Sequence, residues 1–155
     1  MRGRIVLVTL VFTLFLAIGM QLVSQVQSTL IDADVDIEPD VLNLRSEGKF
    51  VTVYIELPTG YNVADIVLET VYLGSVQATI DSKYGFVSSP ESCLTDHDGD
   101  GILERIVKFS REDLINLLLP HMSPHAKQET TLTLRGRLND GTDFQGSDTV
   151  RVIFN

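Results

Sequence analysis

From Lys49 the chain alternates so that Val51, Val53, Ile55 and Leu57 fall at every second position, and Pro58-Thr59-Gly60 then stops the run. A period of two places those four side chains on one face of an extended strand, so the chain must supply a core for that face to cover. The same texture recurs at short intervals. Val35 and Ile37 begin a strand, and Pro39-Asp40 marks a turn. Residues 66–73 and 76–80 read as two strands separated by Gly74-Ser75, and a long loop follows over 81–101. Three more strands are expected at 104–109, at 130–138 with Leu132, Leu134 and Leu138 inward, and at 149–154. Asn139-Asp140-Gly141 supplies turn chemistry between the last two.

One helix interrupts the series. Ser110 can cap residues 111–119, with Asp113 at the third helical position and Pro120 ending it. Leu114, Leu117 and Leu118 form an apolar stripe suited to a lid over one end of the core. About seven short strands with turns between them and one short helix imply an all-β protein, an immunoglobulin-like β-sandwich; a barrel is the alternative.

This domain, residues 31–155, is preceded by a segment of different character, residues 1–30. Arg2 and Arg4 stand before an apolar stretch over 5–23, and no charged residue returns until Asp32. A helix apolar on every face belongs in lipid, and the arginines should stay cytoplasmic, which sends the remainder across the membrane. Two fates are open. The segment fits a secretory signal peptide, with cleavage after Ala17-Ile18-Gly19 or Val26-Gln27-Ser28. Alternatively it is retained as an N-terminal hydrophobic helix, because nineteen residues at about 1.5 Å each span about 28 Å, close to a hydrocarbon core of about 30 Å. Retention allows a membrane anchor or a pilin-like filament core.

Charge narrows the partners. All 21 acids lie beyond Thr29 against 10 bases, a net −11 for the exported part, which disfavours nucleic acid and anionic membrane surfaces and suits cation binding. Cys93 is the single cysteine, so an intrachain disulfide framework and a cysteine-rich zinc site are both excluded. It reads as a small loop residue, with a reactive or intermolecular thiol as the alternative.

The run Asp96-His97-Asp98-Gly99-Asp100-Gly101-Ile102-Leu103-Glu104 carries acids at positions 1, 3, 5 and 9 and glycine at position 6. Hard cations such as Ca²⁺ take six to eight oxygens, and alternate side chains in a tight loop can surround one point. The expected ligands are Asp96, Asp98, Asp100, the Ile102 carbonyl and Glu104, with Asp81 or Glu91 as further donors. Position 12 is Val107 and a strand follows, so the run is no EF-hand. It is similar to the calcium loops of dockerins, thrombospondin type 3 repeats and β-propeller repeats. His121 and His125 flank Pro124 and follow Pro120, which removes the helical pairing that a zinc protease motif needs. No nucleophile elbow or phosphate-binding loop occurs, and a non-enzyme is expected.

Beyond the loop, Ile37 to Leu44, Gly48-Lys49, Tyr54 to Pro58, Gly60-Tyr61, Asp81 to Phe86, Asp96 to Gly101, Val107 to Phe109 and Asp140 to Asp148 together resemble a module of secreted and cell-surface proteins of archaea and bacteria. The resemblance spans about 37–153. It implies a β-sandwich surface domain and brings no assigned activity. The expectation is an extracellular or cell-surface calcium-binding module for structure or adhesion, associating with itself or with other surface proteins, and with the membrane through residues 5–23 if these are uncleaved. A filament subunit is the second expectation. The third, a carbohydrate-binding module, requires Tyr54, Tyr61, Tyr72 or Tyr84 to group on one face.

Overall fold

The computed structural model describes residues 29–80, 93–123, 125 and 127–154. The expected N-terminal helix, Asp81, Tyr84 and Glu91 therefore lie outside the described residues. Ten strands are described: β1 (Leu30–Asp32), β2 (Asp34–Glu38), β3 (Val41–Asn43), β4 (Phe50–Glu56), β5 (Tyr72–Leu73), β6 (Val76–Gln77), β7 (Leu94–Thr95), β8 (Glu104–Ser110), β9 (Lys127–Arg137) and β10 (Asp143–Ile153). They make two sheets. One runs β1-β10-β9-β5-β6, with β3 also pairing β10, and the other runs β2-β4-β8-β7.

The alternation that began at Lys49 is realised as β4, where Val51, Val53 and Ile55 are buried and the intervening side chains are half-buried. Ile37, Val53, Ile55, Val107 and Phe109 of the second sheet share one apolar cluster with Leu73, Leu134, Phe144, Val150 and Val152 of the first. Helix α1 (Arg111–Leu118) starts where Ser110 accepts the Asp113 N–H at 3.3 Å, and it adds Leu114 and Leu118 to the cluster. Pro120 lies in the 3-10 turn Leu119–His121 that ends it.

The N-terminal edge changes sheets twice. β1 runs parallel to β10 with Leu30 opposite Asp143, and the Ala33 N–H is still held by the Gln145 carbonyl at 2.7 Å. The chain then crosses to pair β2 with β4 and returns through β3 to the far end of β10, with Val41 opposite Arg151. Asp148 ties the crossing down by accepting the Ile37 N–H at 2.9 Å.

The structure differs from the expectation in several places: ten strands are described where about seven were expected, Leu94–Thr95 pair inside the expected loop over 81–101, and of residues 76–80 only Val76–Gln77 form a strand. Residues 66–73 are not one strand: 3-10 turns occupy Val63–Asp65 and Leu68–Thr70, Ile66 makes a single bridge to Leu138, and only Tyr72–Leu73 form a strand. Ile66, Leu68, Val71 and Leu73 are nonetheless buried, and the three-residue step from Leu68 to Val71 breaks the period of two that a strand would keep. Local side chains divert the backbone. Asn62 accepts the Ala64 N–H, and Thr70 Oγ1 donates to the Val67 carbonyl while accepting the Arg137 N–H. The last strand begins at Asp143, six residues before the expected start at Thr149. Leu138, Gly141 and Thr142 close a three-residue hairpin loop, and Gly141 supplies the positive φ of 89°.

Candidate metal centre

The loop over 96–104 joins β7 to β8. Its aspartates first organise the backbone: Asp96 accepts the Gly99 and Gly101 N–H groups at 2.9 and 3.2 Å, Asp98 that of Asp100 at 3.1 Å, and Asp100 that of Ile102 at 2.7 Å. Gly99 and Gly101 take φ of 82° and 92°, the left-handed region where a side chain would be strained. The result is convergence, because Asp96, Asp98 and Asp100 bring carboxylate oxygens within 4.8 Å of one another, all exposed. These acidic groups could hold a metal ion.

Glu104 stands apart from that trio. It is 5% exposed, and its Oε2 accepts the His97 N–H at 2.7 Å, which links the start of the loop to its end. The Ile102 side chain is exposed. Cys93 is buried just before β7. His125 sits at φ 62°, and His121 is the last residue of its 3-10 turn, so no regular helix carries the two histidines. Of the tyrosines, Tyr54 lies on β4, Tyr72 on β5 of the other sheet, and Tyr61 in the turn after β4, so no shared face gathers these three.

Sequence reasoning missed the neighbourhood of the loop. β2 and β4 pair with Asp34 opposite Glu56 and Asp36 opposite Tyr54, and Asp34, Asp36, Tyr54, Glu56, His97, Asp98 and Glu104 line one shallow groove. The His97 ring stacks on Tyr54 with centroids 3.8 Å apart and planes at 7°. Its Nε2 lies 3.4 Å from Glu38 Oε1 and 3.7 Å from Asp36 Oδ2. A signal existed in the alternation Asp34, Asp36, Glu38, which sets three carboxylates on one face of a strand. Register across three elements was needed to see that the loop faces them.

The field in the groove is negative. Burial raises the Glu56 carboxyl above its ordinary pKa, and Asp100, Asp34, Asp98 and Glu104 push it further. Asp36 is likewise raised, first by burial, then by Glu38 and Asp148, with His97 opposing. Burial and then Glu38 raise Tyr54. Burial is the first cause of each shift, and neighbouring carboxylates add a like-charge contribution that a bound cation would relieve.

No family model, curated protein or solved structure matches this chain.

Proposed function

We propose that this chain is a non-enzymatic, calcium-binding structural or adhesion module of the cell surface or extracellular space, built as an immunoglobulin-like β-sandwich. The observation that carries the calcium reading is the convergence of Asp96, Asp98 and Asp100 within 4.8 Å in a loop shaped by Gly99 and Gly101. Hard oxygen donors of this kind suit Ca²⁺, and an extracellular site fills at dissociation constants of about 10⁻⁴ to 10⁻³ M. Asp96, Asp98, Asp100, the Ile102 carbonyl and Glu104 are the proposed ligand set. Glu104 would act through water or after releasing the His97 N–H.

The strand orders support the immunoglobulin-like assignment. β2-β4-β8-β7 follows the order of one four-stranded immunoglobulin sheet, and β10-β9-β5 that of the facing one. Export rests on the arginines and apolar run of residues 1–23. A module placed outside the cell with a rigid acidic loop at one sheet end suits calcium-dependent contact with other surface proteins or with its own copies. If residues 5–23 are retained, they anchor the module or form a filament core, and N-terminal sequencing of native material distinguishes retention from cleavage.

Calorimetric titration tests the calcium site. The full chain should take up Ca²⁺ at millimolar concentration or below, and the double variant Asp98→Asn, Asp100→Asn should not. Absence of uptake by the unaltered chain at millimolar Ca²⁺ overturns the assignment.

A further inference from the structure

We propose that His97, Asp36 and Glu38 form a second metal site, distinct from the Asp96, Asp98 and Asp100 carboxylates and suited to a divalent first-row transition ion of the zinc class. The donor set is the first argument. Imidazole nitrogen is a poor partner for Ca²⁺ and a favoured one for zinc-class ions, which also accept carboxylate oxygen.

Spacing is the second. The 3.4 and 3.7 Å separations of Nε2 from the Glu38 and Asp36 oxygens exceed the usual N–H···O bond of about 2.7–3.2 Å. Around a tetrahedral zinc, with bonds of about 2.0–2.2 Å, adjacent ligand atoms stand about 3.3–3.6 Å apart. The two His97 separations therefore sit near the edge lengths of a coordination tetrahedron, and the Asp36 and Glu38 carboxylates approach within 4.8 Å of each other. Their side chains keep 33%, 50% and 46% of their surface in solvent for His97, Asp36 and Glu38, so water can supply the fourth ligand.

Support around the ligands is the third argument. His97 cannot swing freely: its ring lies flat on Tyr54 and its peptide N–H is held by Glu104. Asp36 and Glu38 are alternate residues of one strand, paired to β4 throughout. An ion there would tie the loop over 96–104 to β2, stapling the strand that has just changed sheets.

The test is titration of the full chain with Co²⁺, whose four-coordinate complexes absorb strongly in the visible, followed by displacement with Zn²⁺, all in millimolar Ca²⁺. One equivalent of Co²⁺ should bind with that band and be displaced by Zn²⁺. His97→Gln should weaken binding on the order of 100-fold or more, since even outer-shell changes cost 10–100-fold. Asp36→Asn, which leaves the Tyr54 stack untouched, should weaken it as well. The double variant Asp98→Asn, Asp100→Asn should keep the cobalt band while losing calcium, so the two sites fail independently. Absence of cobalt uptake overturns the proposal. So does uptake unchanged in both the His97 and Asp36 variants, which would place the ion on other residues such as His121 and His125.

Discussion

At the scale of single residues, two glycines of the β9–β10 hairpin answer to different constraints. Gly146 sits where the chain leaves one sheet for the other, and a Cβ there would lie 2.3 Å from the Ala33 carbonyl oxygen and 2.4 Å from Val35 Cγ2. The Ala33 backbone cannot retreat without breaking its hydrogen bond to Gln145. Gly141 instead has open space around its Cβ position and needs only its positive φ. Gly146→Ala should therefore cost about 3 kcal/mol, at the upper end of overpacking penalties. Gly141→Ala should cost about 1–2 kcal/mol, the left-handed penalty alone. Urea unfolding of the two variants checks the order, and a Gly146→Ala midpoint at or above that of Gly141→Ala contradicts this account of the crossing.

At the scale of elements, α1 does more than cover the core. Arg111, its first residue, is buried, and its Nη2 donates to the Asn43 carbonyl at 3.0 Å and to Ser46 Oγ, fastening the β3–β4 connection. Gly48 permits this approach, since a Cβ there would stand 3.0 Å from Arg111 Cδ. Burial lowers the Arg111 pKa, yet the guanidinium stays charged at any physiological pH. Arg111→Ala removes two charge-assisted bonds and should destabilise by about 2–4 kcal/mol. Ser110→Ala, which removes one cap bond, should cost about 1 kcal/mol. Thermal melts of both variants measure the difference. The helix was legible because its cap, stripe and terminating proline all lie within eleven consecutive residues, 110–120. β4 was legible for the same reason, its alternation being local. The diversion at 66–73 was not, because it depends on Thr70 meeting Arg137, 67 positions away. The early start of β10 was hidden by a Gly- and Asp-containing stretch of low strand propensity, whose pairing with β9 only the fold reveals. The site divides in the same way. The aspartate loop is one short run, whereas the groove it faces depends on the pairing of β2 with β4.

At the scale of the molecule, the distribution of charge links stability to cation binding. Residues 30–155 have about twice as many acids as bases, and the groove gathers Asp34, Asp36, Glu56, Asp98 and Glu104 along one end of the second sheet. Glu56 and Asp36 have folded-state pKa values above their ordinary 4.5 and 3.8. A raised acid binds its proton more tightly in the folded state. Its stabilising contribution is thus fully present below the unfolded pKa and is lost as pH rises through the folded one. Asp140 has the opposite sign, its carboxylate being held below 3.8 by bonds from Thr142, so it opposes the trend only near and below that value. In chelator, thermal stability should therefore rise as pH falls from 7 towards 4.5. Calcium on Asp98 and Asp100 would place positive charge beside Glu56 and offset the part of its shift that comes from those carboxylates, leaving the larger part due to burial. With saturating Ca²⁺ the midpoint at pH 7 should increase, and the gain on acidification should shrink as protons begin to compete with the ion. Thermal unfolding across pH 4.5–7, with and without Ca²⁺, reads both effects, and parallel pH profiles in the two conditions would mean that the ion does not sit where it relieves this groove.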